Sequence, residues 1–145
     1  MDFYTNACEQ FESAQILASS EKYRVAVTLL CLAGELFLKS LVELKYPGHS
    51  LLNTHDIVGL GRVIKDDVDY KTLAPHLAFL RKYLNDSRYP FDHTVYSFDF
   101  YEECRASTLA IKQSVETAYS KIPVVDRLKA NFGQDKVVDK SDDVK

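Results

Sequence analysis

The chain is 145 residues long, 46% hydrophobic and carries a formal net charge of −3, enough apolar content for one sizeable core and too acidic to bind nucleic acid through its overall field. Any contact with RNA therefore needs a local positive patch, such as one shared between subunits. Nine Tyr and eight Phe against five Gly and four Pro favour helices over a turn-rich β fold, and the odd, scattered cysteines Cys8, Cys31 and Cys104 offer neither a disulfide framework nor a zinc spacing.

From Asp2 to about Ala18, the residues Phe3, Ala7, Phe11, Ala14 and Ala18 recur at steps of three and four, which predicts an amphipathic first helix with Asp2 favouring its dipole. Ser19 or Ser20 is expected to cap the next helix. That second helix should run from Glu21 to about Lys45, with Ala26, Leu30, Ala33, Phe37, Leu41 and Leu44 on one stripe and Val25, Leu29, Leu32 and Leu36 on another. A helix apolar over so much of its circumference packs against several neighbours, so it is expected at the centre. Thr28, Glu35, Lys39, Ser40 and Glu43 interrupt the apolar run, which argues for a core helix and against a membrane span. Glu35 has two readings: a surface i,i+4 pair with Lys39, or a carboxylate facing a cleft and orienting a catalytic group.

Tyr46-Pro47-Gly48-His49-Ser50 reads as a loop, and Asn53 or Thr54 as the cap of a short third helix carrying Ile57, Leu60 and Ile64. His55-Asp56 would fall in its first turn, where His55 is either a structural histidine or a proton carrier. Asp66-Asp67-Val68-Asp69 lacks a Ca²⁺-loop pattern and reads as a solvated loop. A fourth helix is expected to begin between Thr72 and Pro75 and to bury Leu73, Leu77, Leu80 and Leu84. Arg88 continues that stripe, so it points toward the bundle if the helix persists, and it then needs a carboxylate or a polar cleft. Pro90 restricts Tyr89 and ends or kinks the helix, leaving His93 beyond the break.

A last long helix should span about Phe98 to Lys121, with Cys104, Thr108, Ile111, Val115, Ala118 and Ile122 as its seam. Pro123 breaks it. Val124, Val125, Leu128 and Phe132 suggest one more amphipathic turn before a polar, mobile tail. The division is therefore a helical bundle over 1–122 and a short turn plus tail over 123–145. The cysteine usage suits a reducing cytoplasm, and the N-terminus does not read as a signal peptide. The histidines His49, His55, His76 and His93 form no standard metal motif, so no metal or cofactor is expected.

Arg88 and His93 are the residues best suited to chemistry. A guanidinium holds two phosphate oxygens in a planar fork, and an imidazole moves protons near neutral pH. The whole chain resembles the HEPN family (higher eukaryotes and prokaryotes nucleotide-binding) in three stretches: Ala33-Gly34-Glu35-Leu36-Phe37-Leu38-Lys39-Ser40-Leu41, Thr54-His55-Asp56-Ile57 with Leu60, and Ser87-Arg88-Tyr89-Pro90 through His93. The resemblance implies an antiparallel α-helical bundle of about five helices with a long central second helix. It also implies a homodimer that brings two Arg…His pairs to one cleft. It further implies a metal-independent endoribonuclease with a toxin or defence role, an RNA substrate and, for some members, a nucleotidyltransferase antitoxin. On that reading Arg88 and His93 are catalytic, with Glu35, Tyr89 and His55 as candidate supporting residues. The alternative is a non-catalytic module that binds a nucleotide or a protein.

Overall fold

The computed structural model describes residues 2–86, 95–123 and 126–127. The elements are α1 (Phe3–Ser19), α2 (Tyr23–Lys45), a 3₁₀ turn (Ser50–Asn53), α3 (Ile57–Val63), α4 (Tyr70–Asp86) and α5 (Phe98–Ser120). Among the described residues the fold is all-α, a bundle of five helices, as the periodicities predict.

The four long helices alternate in direction along the chain. α1 returns on α2 as a hairpin, with the Tyr4 and Phe37 rings edge-to-face at 5.7 Å. α4 and α5 form a second antiparallel pair, marked by Tyr83 against Phe100 at 4.6 Å and His76 Nδ1 against Ser107 Oγ at 2.9 Å. α2 and α5 thus run the same way, and hydroxyls of α5 reach backbone carbonyls of its neighbour: Thr108 donates to the Leu30 carbonyl at 3.1 Å and Tyr119 to the Ser40 carbonyl at 3.2 Å. Such bonds satisfy buried hydroxyls that would otherwise cost free energy.

α2 is the core. Ala26, Leu30, Ala33, Phe37 and Leu41 are fully buried, as expected. The second expected stripe is rim and not core, because Val25 is 49% exposed and Leu29, Leu32 and Leu36 are half-buried. Val27, Cys31, Leu38 and Val42 are buried in its place. α2 is long and apolar enough to cross a membrane, with mean hydropathy 1.9, yet 72% of its most apolar window is buried inside the bundle. Gly34 sits where α2 meets three elements: a Cβ there would come within 3.2 Å of Ile111 and 3.3 Å of Leu80, with Ile57 at 3.6 Å. The glycine therefore permits the close approach of α3, α4 and α5 to α2.

Several local expectations are corrected. Neither Ser19 nor Ser20 caps α2. Its N-cap is Lys22, which makes no side-chain cap bond. The reason lies at the end of α1, where the Glu21 N–H bonds the Ala18 carbonyl at 2.9 Å and the Lys22 N–H bonds the Leu17 carbonyl at 3.0 Å. This is a Schellman ending with Glu21 at φ 62, a position usually given to glycine. Asn53 ends the 3₁₀ turn and Thr54 is its C-cap, and Asp56 caps α3 by accepting from the Gly59 N–H at 2.9 Å. His55 therefore precedes α3 and is not in its first turn. α4 starts at Tyr70, earlier than expected, because Asp69 accepts from both the Thr72 hydroxyl at 2.7 Å and its N–H at 3.4 Å. The acidic segment is not simply solvated: Asp67 accepts from Tyr46 at 3.1 Å and pairs with Lys45 at 3.3 Å, tying the end of α2 to the α3–α4 connection. Of the expected turn after Pro123, Val124, Val125, Leu128 and Phe132 lie outside the described residues, as does the tail.

Candidate functional site

The polar strip of α2 is covered by its neighbours. Glu35 is 2% exposed and Lys39 6%, so their i,i+4 pair, with Nζ 3.1 Å from Oε2, lies beneath the surface and not on it. The Phe3 ring of α1 lies over the Lys39 ammonium at 5.9 Å. From the other side the segment between the 3₁₀ turn and α3 delivers His55, whose Nδ1 is 3.2 Å from Glu35 Oε1 and 3.1 Å from Oε2.

That segment is held at both ends. The Thr54 hydroxyl donates to the Leu51 carbonyl at 2.8 Å, and Asp56 caps α3. A carboxylate only accepts, so Nδ1 donates to it. The His55 side chain is 65% exposed while that of Glu35 is 3% exposed. The arrangement is a buried carboxylate orienting an exposed imidazole through its Nδ1. Chemically this is an oriented proton carrier, with Lys39 balancing the carboxylate's charge.

Glu35 and His55, named separately from sequence, are thus brought together. Arg88, Tyr89 and His93 lie outside the described residues. The described chain stops at Asp86, the end of α4, and resumes at Val95, just before α5. The Tyr96 ring there lies 4.6 Å from the Arg24 guanidinium in the first turns of α2. Glu35 stands eleven residues further along α2, about 16 Å by helical rise. Phe100 packs edge-to-face on Tyr96 at 5.7 Å and Tyr101 is 3% exposed while Phe98 is 55% exposed, so this aromatic region fills core only in part.

Lys39 is the member of the cluster that sequence reasoning placed on the surface. The signal available was its position between Leu38 and Ser40 in a run where almost every neighbour is apolar. Among the described residues, no group of three or more His, Cys, Asp or Glu side chains is placed to hold a metal ion.

No curated protein and no solved structure matched the chain. The HEPN domain family model matches residues 1–118, a span that includes all five helices apart from the last two residues of α5 and takes in the Glu35–His55 pair. The chain is a member of the HEPN domain family.

Proposed function

We propose that this chain is a metal-independent endoribonuclease with Arg88 and His93 as its catalytic residues, acting in the cytoplasm as a toxin or defence protein. Family membership supports the reading. The observation that carries it is that two of the three motif stretches meet through Glu35 and His55, twenty residues apart in sequence, in a buried-carboxylate and exposed-imidazole pair. The third stretch holds Arg88 and His93 five residues apart.

In the proposed reaction the substrate's 2′-oxygen attacks the adjacent phosphorus and loses its proton to an imidazole. The bond from phosphorus to the 5′-oxygen breaks, and that oxygen takes up a proton. The products are a 2′,3′-cyclic phosphate and a 5′-hydroxyl. The 2′-hydroxyl is already tethered beside the phosphorus, so positioning asks little of the protein. General acid–base help from His93 contributes about 10²–10⁴-fold. Arg88 stabilises the charge on phosphorus through its bidentate fork. A homodimer supplies two such pairs and a locally positive cleft in a chain of net charge −3. A nucleotidyltransferase-type antitoxin is the partner this reading suggests.

The test is cleavage of single-stranded RNA in excess EDTA with end-group analysis. Cyclic phosphate ends are expected, with no cutting of an all-deoxy strand and loss of cutting in Arg88→Ala and His93→Ala. A strict need for Mg²⁺, or full activity in both variants, refutes the assignment. A non-catalytic binding module is the second reading, favoured by Tyr89 directly after Arg88 and by Pro90, which keeps Arg88 and His93 off one unbroken helix. It predicts nucleotide or protein binding that survives His93→Ala, with RNA left intact by the wild type.

A further inference from the structure

At the end of the bundle away from the α4–α5 connection, a cavity of about 310 Å³ opens between the N-terminus of α1 and the C-terminal turns of α2 and α5. Along α5 it lies about 30 Å from Tyr96 by helical rise. Its walls combine the rings of Phe3, Tyr4 and Tyr119 with the carboxyl groups of Asp2, Glu43 and Glu116. Tyr4 and Tyr119 stand edge-to-face at 5.9 Å.

The carboxylates are not equivalent. Asp2 is engaged as the cap of α1, accepting from the Thr5 N–H at 2.7 Å. Glu116 accepts from Lys112 at 2.7 Å and from the Tyr4 hydroxyl. Burial opposes its ionisation, but these two hydrogen bonds outweigh that and hold its pKa below the usual carboxylate value. Glu43 has no hydrogen-bond or ion-pair partner among the described residues.

One cation also lines the cavity. The Arg127 N–H bonds the Pro123 carbonyl at 3.1 Å beyond α5, and Arg127 lines the cavity. There Nε is shut off from solvent and has no hydrogen-bond partner. A buried, unsatisfied guanidinium nitrogen is costly, so Arg127 fits the cavity poorly. An acidic, ring-walled chamber lined by an arginine with one buried, unsatisfied nitrogen has the chemistry of a cation site in partial occupation by the chain itself.

We propose that this cavity binds a small guanidinium compound, which displaces Arg127 and pairs with Glu43. The flat cation stacks on the Tyr and Phe rings while its N–H groups meet the free carboxylate. Arg127 acts as an in-chain competitor, and any occupancy by it weakens the observed affinity in proportion.

The probe is agmatine, titrated into the full-length ¹⁵N-labelled chain at constant ionic strength, with N-butylurea as an uncharged analogue. Shift changes are expected at Glu43, Glu116 and Tyr119, with none from N-butylurea. Arg127→Ala and Arg127→Gln should bind on the order of tenfold more tightly than wild type, and Glu43→Gln on the order of tenfold more weakly. His93→Ala should bind as wild type does, so the result stands apart from ribonuclease activity. Absence of saturable binding in both folded Arg127 variants overturns the proposal. So does equal affinity in Glu43→Gln, or equal response to N-butylurea.

Discussion

Replacing Glu35 with Ala is expected to cost about 3–5 kcal/mol, because it strands a buried cation. Glu35 and Lys39 are 2% and 6% exposed, and Nζ lies 3.1 Å from Oε2. The Phe3 ring also lies 5.9 Å from the ammonium, but a desolvated cation–π contact returns about 2 kcal/mol, less than the lost pair. His55→Ala removes a hydrogen bond of similar length, yet its side chain is 65% exposed. Water replaces that partner, so the expected cost is below about 1 kcal/mol. Replacing both charges with apolar groups of similar volume, as in Glu35→Leu/Lys39→Met, should recover most of the loss. Urea unfolding monitored by circular dichroism gives these differences as midpoint shifts at constant slope. Glu35→Ala within about 1 kcal/mol of wild type, or His55→Ala costing as much as Glu35→Ala, would refute the reasoning. The double variant also separates roles in the cleavage assay: a folded Glu35→Leu/Lys39→Met protein that fails to cut RNA assigns the Glu35–Lys39 pair to function, beyond its part in stability.

Other outcomes are expected. Glu21→Gly relieves left-handed strain of about 1–2 kcal/mol at φ 62 and costs about 0.5–1 kcal/mol in unfolded-chain entropy, so it should raise the melting temperature; a lower one would contradict the strain. Cys31 and Cys104 are fully buried, and burial, with a smaller contribution from Glu103, pushes the Cys104 thiol up to about 12. A native-state thiol assay should therefore label Cys8 first, and all three thiols only after unfolding. Burial, then the hydrogen bond to Glu116, raises the Tyr4 hydroxyl above its ordinary value of 10.0. The folded state keeps a proton that the unfolded state loses, so this contribution is complete below pH 10.0 and falls as pH rises above it. Tyr4→Phe should flatten the alkaline decline in stability, and an unchanged slope would count against the shift.

The number, type and order of the helices were legible in the sequence because each carries its own three-and-four apolar rhythm, and that rhythm is a local property of the chain. The buried stripe Ala26, Leu30, Ala33, Phe37 and Leu41 follows from it directly, as does the seam from Cys104 to Ala118. Glu35 and His55 were also recognisable as residue types suited to chemistry. Their meeting was not, because it depends on where the segment before α3 folds back across α2. A helix's periodicity says which residues share a face, but not which faces neighbouring elements will cover. Phe3 from α1 and His55 from the turn before α3 close over the polar strip, and that closure turns a nominal surface pair into a buried one. The start of α2 was misplaced for a related reason: hydrogen bonds back into α1 set the end of that helix and placed Glu21 in a left-handed turn, overriding the capping preference of the two serines. The cavity at the far end is wholly tertiary, since Asp2, Glu43, Glu116 and Arg127 come from chain segments that only the packed bundle brings to one place.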